Sequence, residues 1–443
     1  MSRPSRADLA AFAAPCLALA ALGLPLVVYL PHYYSAELGL SLSAVGVAFM
    51  AVRLIDIGLD PILGALMDRT RTRWGRFKPW LVAGAPILMA ATAMLFFARP
   101  GVSVAYLWAG LLLGYGGWSV CVLAQTSWGA TLSPDYDQRS RIYAWWQTAN
   151  VIGLIGVLLL PVIIARVTED PGAGMRGMGW LVMALIPTTI GLTAWRLKEP
   201  VPATRSEVAS LKEWLDLFRS DAVRRLMLSD VVLGLVPGVA AALFLFYFHQ
   251  IKQLPQASAN AALLLYFVAA LVGAPLWSRL ATRVGKHRAL GFAALFYVIG
   301  QAGFLILPPG SLPLAAVAAF VAGLPYSAAS VLLRAMMADV GDEERLRTGQ
   351  DRTGLLYALL TGATKVGAAV AVGVTYVGLD LAGFKAQGGN SEAALLGLQL
   401  LFLALPAALS LWAAAILFRY PLDAGRHAAV RAALDAQAAG ARP

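Results

Sequence analysis

Apolar residues in this chain come in long unbroken runs, separated by short polar loops. Twelve runs fall at about 9–31, 44–67, 79–98, 103–126, 142–166, 178–196, 226–249, 259–280, 289–307, 313–337, 354–379 and 394–418. At about 1.5 Å of rise per residue, each is long enough to cross a hydrocarbon layer of about 30 Å as a helix. Lipid offers no partner to a bare backbone amide, and the runs lack the polar–apolar alternation of barrel strands. The pattern therefore predicts twelve membrane-spanning α-helices. The first run follows Arg3 and Arg6, as a signal peptide would, but it is too long for one and eleven more follow. It reads as an uncleaved first helix.

The longest polar connection, 197–225, divides the chain. Residues 1–196 form an N-terminal six-helix bundle, 197–225 a cytoplasmic linker, and 226–443 a C-terminal six-helix bundle with a short cytoplasmic tail. The halves echo each other. The second run ends Pro61-Ile-Leu-Gly-Ala-Leu-Met-Asp-Arg and then Trp-Gly-Arg-Phe-Lys78, and the eighth ends Pro275-Leu-Trp-Ser-Arg-Leu-Ala-Thr-Arg-Val-Gly-Lys-His-Arg288. Six plus six helices around a central loop predict an all-α polytopic membrane protein with the major facilitator fold.

Composition removes the competing classes. Of 443 residues, 59% are hydrophobic and only 13% charged, against about 25% charged in a soluble domain. The net charge of +11 does not point to nucleic acid, because its distribution is topological. With the N-terminus in the cytoplasm, 28 of the 35 Lys and Arg residues lie in cytoplasmic segments and 5 on the opposite side. The positive-inside rule then puts both termini in the cytoplasm. The Ala/Gly/Arg-rich composition, with no targeting extension, points by association to a bacterial inner membrane. Expected partners are the lipid bilayer and a small-molecule substrate, with no nucleic acid, and the chain is expected to work as a monomer. Cys16 and Cys121 lie inside apolar runs, and the four histidines show no ligand spacing, so neither a disulfide nor a metal centre is expected beyond a possible Na⁺. No G-x-x-x-x-G-K-[ST] loop occurs, so the chain itself is no P-loop ATPase. Its energy must come from an ion gradient or from the substrate's own, with no cofactor beyond a coupling ion, Na⁺ or H⁺.

Two basic residues, Arg53 and Lys365, lie inside apolar runs, where a charge costs about 2.5–3.5 kcal/mol on insertion scales. Arg53 shares the second run with Asp56 and Asp60, and spacings of three and four put all three on one helix face. One Arg with one Asp makes a structural ion pair. The second Asp leaves the group at net −1, which a bound Na⁺ or H⁺ would neutralise. Ser119 is a further candidate oxygen ligand, although a lone helix serine commonly bonds its own backbone. Lys365 lies about eleven residues into the eleventh helix, too deep to snorkel well. It belongs to the other half, where it is expected to act as a charge partner of the Asp pair, either competing with the cation or in a structural ion pair. Tyr29, Gln125, Trp128, Gln147, Asn150 and Tyr357 are candidates for lining a substrate path, set against ordinary core or interface roles for each. Asp56-x-x-x-Asp60 also resembles part of the Mg-diphosphate motif of an intramembrane prenyltransferase, but the second Asp-rich helix such a site needs is absent. A channel or sensor on the same fold is the other rival.

These residues also carry a family resemblance. Arg53-Leu-Ile-Asp56-Ile-Gly-Leu-Asp60-Pro61-Ile-Leu-Gly64, with Asp68-Arg69-Thr-Arg-Thr-Arg73-Trp-Gly75-Arg-Phe-Lys-Pro-Trp80, resembles the glycoside–pentoside–hexuronide:cation symporters of the major facilitator superfamily. So do Met337-Ala-Asp339 through Arg352-Thr-Gly354 with Lys365, and Trp128 through Asp135 to Arg139. The resemblance covers nearly the whole chain. It implies cation-coupled symport of a sugar or glycoside by alternating access, with Asp56 and Asp60 as cation ligands, Arg53 beside them and Lys365 near the coupling site. It also implies a cytoplasmic gate that includes Gly64, Asp68, Arg69, Arg73, Asp339 and Arg352. Where sugar permeases of the family carry an Asp in helix one, an Asp in helix four and an Arg in helix five, this chain has Ala20, Val122 and Gln147. The family also contains lysolipid symporters, so an amphipathic substrate is the alternative.

Overall fold

The structure, a computed structural model, describes residues 5–132, 136–168, 170, 172–199, 216–350 and 352–440. Asp135 and most of the 197–225 connection therefore lie outside the described residues, as do the side chains of Asp68 and Arg139. Among the described residues, twelve helices are long and apolar enough to cross a membrane. They are α1 Arg6–Val27, α2 Leu42–Met67, α3 Lys78–Phe96, α4 Val104–Gly129, α5 Arg141–Ile164, α6 Ala173–Arg196, α7 Asp221–Ile251, α8 Gln256–Val284, α9 Lys286–Ile306, α10 Leu312–Thr348, α11 Thr353–Leu381 and α12 Glu392–Phe418. A further helix, α13, spans Ala424–Gly440. No strand occurs among the described residues, only an isolated bridge between Thr72 and Gly75.

Serines start several of these helices, because a short side-chain oxygen can accept an amide that the first turn leaves without a carbonyl. Ser5 and Asp8 close a reciprocal capping box on α1. Ser41, Ser103 and Ser220 cap α2, α4 and α7 without the reciprocal half, each accepting one backbone amide, from Ala44, Tyr106 and Val223. Gly349, at φ 72°, ends α10, and Gly285, at φ 91°, makes the turn from α8 to α9. Both conformations favour the residue without a Cβ.

The chain forms two compact units. The first comprises Met1–Val208, Pro255–Ala261 and Val372–Ala394. Within it α1 packs on α5 and α6, α3 on α4 and α6, and α2 on α4. Small residues permit the close crossings: a Cβ on Gly153 would stand 2.4 Å from the Leu17 carbonyl oxygen, and one on Gly84 2.4 Å from Cys121 Sγ. The second unit comprises Ala209–Leu254, Ala262–Ala371 and Leu395–Pro443. There α7 and α9 both pack on α10 and α12, around a core that includes Leu226, Leu290, Leu332, Met336, Leu356 and Leu417.

In this unit α10 is interrupted at Leu324–Pro325, where the proline removes a donor from the helical ladder. Helix α8 secures the break. Trp277 Nε1 donates to Leu324 O at 3.0 Å, Ser327 Oγ donates to Ala270 O at 2.6 Å, and Gly273 leaves room for the Leu324 carbonyl. Single π-helical turns close α7 (Tyr247–Ile251) and bend α12 (Leu400–Ala404). Their aromatic rings meet, with Tyr247 stacked on Phe402 at 4.2 Å and its hydroxyl donating to Phe304 O.

Candidate cation site

Three charged residues on α2 set the chemistry of the first unit. Arg53 Nη1 donates to Asp56 Oδ2 at 3.1 Å, with the Asp56 side chain only 3% exposed. Asp60 follows one turn later and is half-buried. Helix α4 holds the arginine from the other side: the guanidinium carbon lies 4.7 Å from the Tyr115 ring centre and 5.2 Å from that of Trp118. Cation–π contacts of this kind contribute about 0.5–2 kcal/mol each. Trp118 is itself tethered, its Nε1 donating to Leu19 O of α1 at 3.2 Å. Arg53 is thus fixed by one carboxylate and two rings. The formal charge of the trio is −1, in the middle of an apolar helix. Ser119, beside Trp118, is buried.

The other candidates in this unit take different positions. Gln125 is buried, and its amide nitrogen donates to Phe12 O and, at 3.6 Å, to Cys16 Sγ, so it joins α4 to α1. Trp128, a turn further on, is fully buried. Tyr29, just beyond α1, is buried with no partner for its hydroxyl among the described residues. On α5, Gln147 is exposed and Asn150 donates to Trp146 O at 2.9 Å. Gly64 has open space where a Cβ would stand, and Arg69 and Arg73 are exposed, Arg73 lying over Trp74.

The turn that follows α2 has an anchor absent from the expected site. Glu199 accepts the backbone N–H groups of Arg76, Phe77 and Lys78 at 2.8–2.9 Å, at the start of α3. These are amides that a helix N-terminus leaves unbonded, where a carboxylate is doubly favoured by hydrogen bonding and by the helix dipole. Gly75, at φ 116°, makes the room, since a Cβ there would stand 2.3 Å from Glu199 Oε2. The Gly-Arg-Phe-Lys stretch is therefore a carboxylate nest in this structure. Its only signal in the sequence is an acidic residue just after α6.

In the second unit, Lys365 is half-buried on α11, and Tyr357 OH donates to Arg334 O at 2.9 Å. Asp339 receives Lys286 Nζ at 2.6 Å. Arg352 contacts Asp216 at 2.7 Å and Glu344 at 3.6 Å. Helix α13 docks beside this network through Arg426 to Glu343 and His427 to Asp342. Outside the membrane, Arg352 and Arg347 hydrogen bonds hold the Asp216 carboxyl below the usual range. In the loop before α2 the opposite occurs: burial, aided by the charge of Asp170, pushes Glu37 up to about 7, partly offset by Arg176.

Among the described residues, no group of three or more His, Cys, Asp or Glu is placed to hold a metal ion. A pair of carboxylates with an arginine beside them suits a lightly held alkali ion or a proton instead.

Twelve spanning helices with fixed charge at mid-span define a secondary transporter of the major facilitator class. The chain belongs to the MFS/sugar transport protein family, which matches residues 11–424. It is 28% identical to the uncharacterized symporter YnaJ of Bacillus subtilis (strain 168), over 89% of this chain and 87% of that one. It is 25% identical to the isoprimeverose transporter of Lactiplantibacillus pentosus, over 89% and 84%. A solved mutant of the nucleoside transporter NupG superposes with a TM-score of 0.71 at 12% identity, covering 94% of this chain and all of that one. At that identity the match speaks to the fold. The protein is a multi-pass membrane transporter and not an enzyme, so the prenyltransferase reading of Asp56-x-x-x-Asp60 falls.

Proposed function

We propose that this transporter couples movement of a sugar or glycoside to that of a cation, Na⁺ or H⁺, bound at Asp56 and Asp60, by alternating access. The observation that carries the reading is the α2 trio. Arg53 lies 3.1 Å from Asp56 and over two aromatic rings, and Asp60 one turn on brings the trio to a formal charge of −1, which a bound cation neutralises. At an effective dielectric near 20, charges about 4 Å apart interact by roughly 4 kcal/mol, enough to bind an ion that still leaves readily. Ser119 supplies a further oxygen. No inorganic species beyond that ion takes part. The isoprimeverose transporter among the relatives supports a glycoside as cargo. The candidates for contact with substrate are Tyr29, Gln125, Trp128, Gln147 and Asn150 in the first unit and Tyr357 in the second.

Both termini lie in the cytoplasm of a bacterial inner membrane, as the 28-to-5 split of basic residues supports. One chain supplies both halves of the carrier, so the monomer is the working unit. Linkage requires that cation and substrate strengthen each other's binding equally. Melting of the purified protein with disaccharides, hexuronides and lysolipids, each with and without Na⁺, tests this. The expected result is a glycoside whose stabilisation depends on Na⁺ or on pH. Stabilisation by lysolipid alone would move the substrate to the amphipathic class, and glycoside binding indifferent to both ions would defeat coupling.

A further inference from the structure

Asp230 lies in α7 and takes no part in the cation site. It is the tenth residue of its helix, about 14 Å from the helix start at 1.5 Å per residue, and only 4% exposed. Among the described residues it enters no ion pair. Its partner among the described residues is Thr364 on α11, whose hydroxyl lies 3.1 Å from one carboxyl oxygen and 2.9 Å from the other and whose backbone amide also faces the carboxyl. The same hydroxyl lies 3.0 Å from Leu360 O, the ordinary back-bond of a helical threonine.

Burial sets the state of this cluster. A threonine hydroxyl has a single hydrogen to give. If Asp230 were ionised, that hydrogen would go to the carboxylate, and a full charge would sit buried against a neutral donor. With Asp230 protonated, its O–H donates to Thr364 Oγ1, Thr364 donates to Leu360 O, and no charge is buried.

The pairing is held in register by backbone contact. A Cβ on Gly367 would stand 2.5 Å from Val231 O, and one on Gly238 2.6 Å from the Ala371 Cβ, so α7 and α11 touch above Asp230 through glycine. Among the described residues, no charged neighbour pairs with the carboxyl. Arg334 on α10 acts on Asp230 only through its field, and it is exposed. Lys365 follows Thr364 on α11. Helix α12 brings no charged residue beyond Glu392 at its start, and α7 itself brings Asp221, Arg224 and Arg225 in its first turns and His249 in its last.

We propose that Asp230 is a proton-binding site of the second unit, distinct from Asp56 and Asp60, which carries its proton on the hydrogen bond to Thr364. Loss of that proton swings the Thr364 hydroxyl from Leu360 O to the carboxylate. This rearranges α11 one residue before Lys365, so the site reports pH to that turn. The proposal does not depend on the identity of the cargo or the coupling ion, and its test uses no transport.

Infrared spectra of the full-length protein in liposomes, recorded as a function of pH, read the carboxyl directly. At mildly acidic pH the wild type is expected to show the carbonyl band of a protonated carboxylic acid that is missing in Asp230→Asn and shifted in frequency in Thr364→Val. Spectra of wild type and Asp230→Asn that coincide in the acid-carbonyl region at every pH would overturn the proposal, since Asp230 would then not take up a proton. Should Asp230→Asn fail to fold, Thr364→Val decides alone: a moved band supports the site and an unmoved band overturns it.

Discussion

Arg53 is the residue on which the cation site turns. Its guanidinium is held by Asp56 and by the faces of Tyr115 and Trp118. A lysine, with neither the planar fork nor the stacking surface, would not replace it. Asp56→Asn removes the carboxylate that Arg53 Nη1 contacts at 3.1 Å, and a buried charge that loses its partner typically costs about 3–5 kcal/mol. The expected outcome is a lower melting temperature that Na⁺ no longer raises. An Na⁺ response as large as in the wild type would remove Asp56 from the site.

The acidic pair and its arginine were legible in the sequence because charge inside an apolar run is rare. Tyr115 and Trp118 were not, because aromatic residues are ordinary in spans and only the packing of α4 on α2 singles out these two. Asp230 was missed for a different reason. The seventh apolar run starts at 226, which puts Asp230 near an interface. The helix instead begins at Asp221 under the Ser220 cap, which carries the residue two to three turns inward.

At the scale of elements, the twelve spans were readable from run length alone. The interruptions were not. The break of α10 at Pro325 and the π-helical turns of α7 and α12 depend on partners remote in sequence, such as Trp277 and Phe304. Gly75 shows how a motif can be noticed and its reason still hidden. The basic run after α2 stood out, but the carboxylate that organises it comes more than 120 residues later. Glu199→Ala leaves three N–H groups at the start of α3 without an acceptor, and stability should fall by about 1–3 kcal/mol. Gly75→Ala meets the positive φ and the Glu199 carboxylate together, and should cost at least about 1 kcal/mol. Thermal melting in detergent checks both. A Gly75→Ala protein as stable as the wild type would mean that the nest is not formed. A test of the α8–α10 contact is Gly273→Ala, where the new methyl would meet Leu324 O and the melting temperature should drop.

For the molecule as a whole, pH acts outside the membrane through Glu37. Its folded value near 7 lies above its ordinary value of 4.5, so the folded state holds a proton that the unfolded state releases. Stability from this group is full below about pH 4.5 and is lost as pH rises through about 7. Asp170, held below the usual range by its Arg176 hydrogen bond, stays ionised across that window and adds nothing. Melting temperature should therefore fall between about pH 4.5 and about pH 7, and Glu37→Gln should flatten that part of the fall. A slope unchanged by the substitution would assign the effect elsewhere.

Coupling is also a property of the whole chain, and uptake into sealed vesicles measures it most directly. Labelled disaccharide is followed under an imposed inward Na⁺ or proton gradient, with wild type and with the Asp56→Asn, Asp60→Asn double variant. The wild type should concentrate the sugar above its outside level under one of the gradients, and the double variant should only equilibrate it. Concentration by the double variant would contradict the assignment of these two carboxylates to the driving ion.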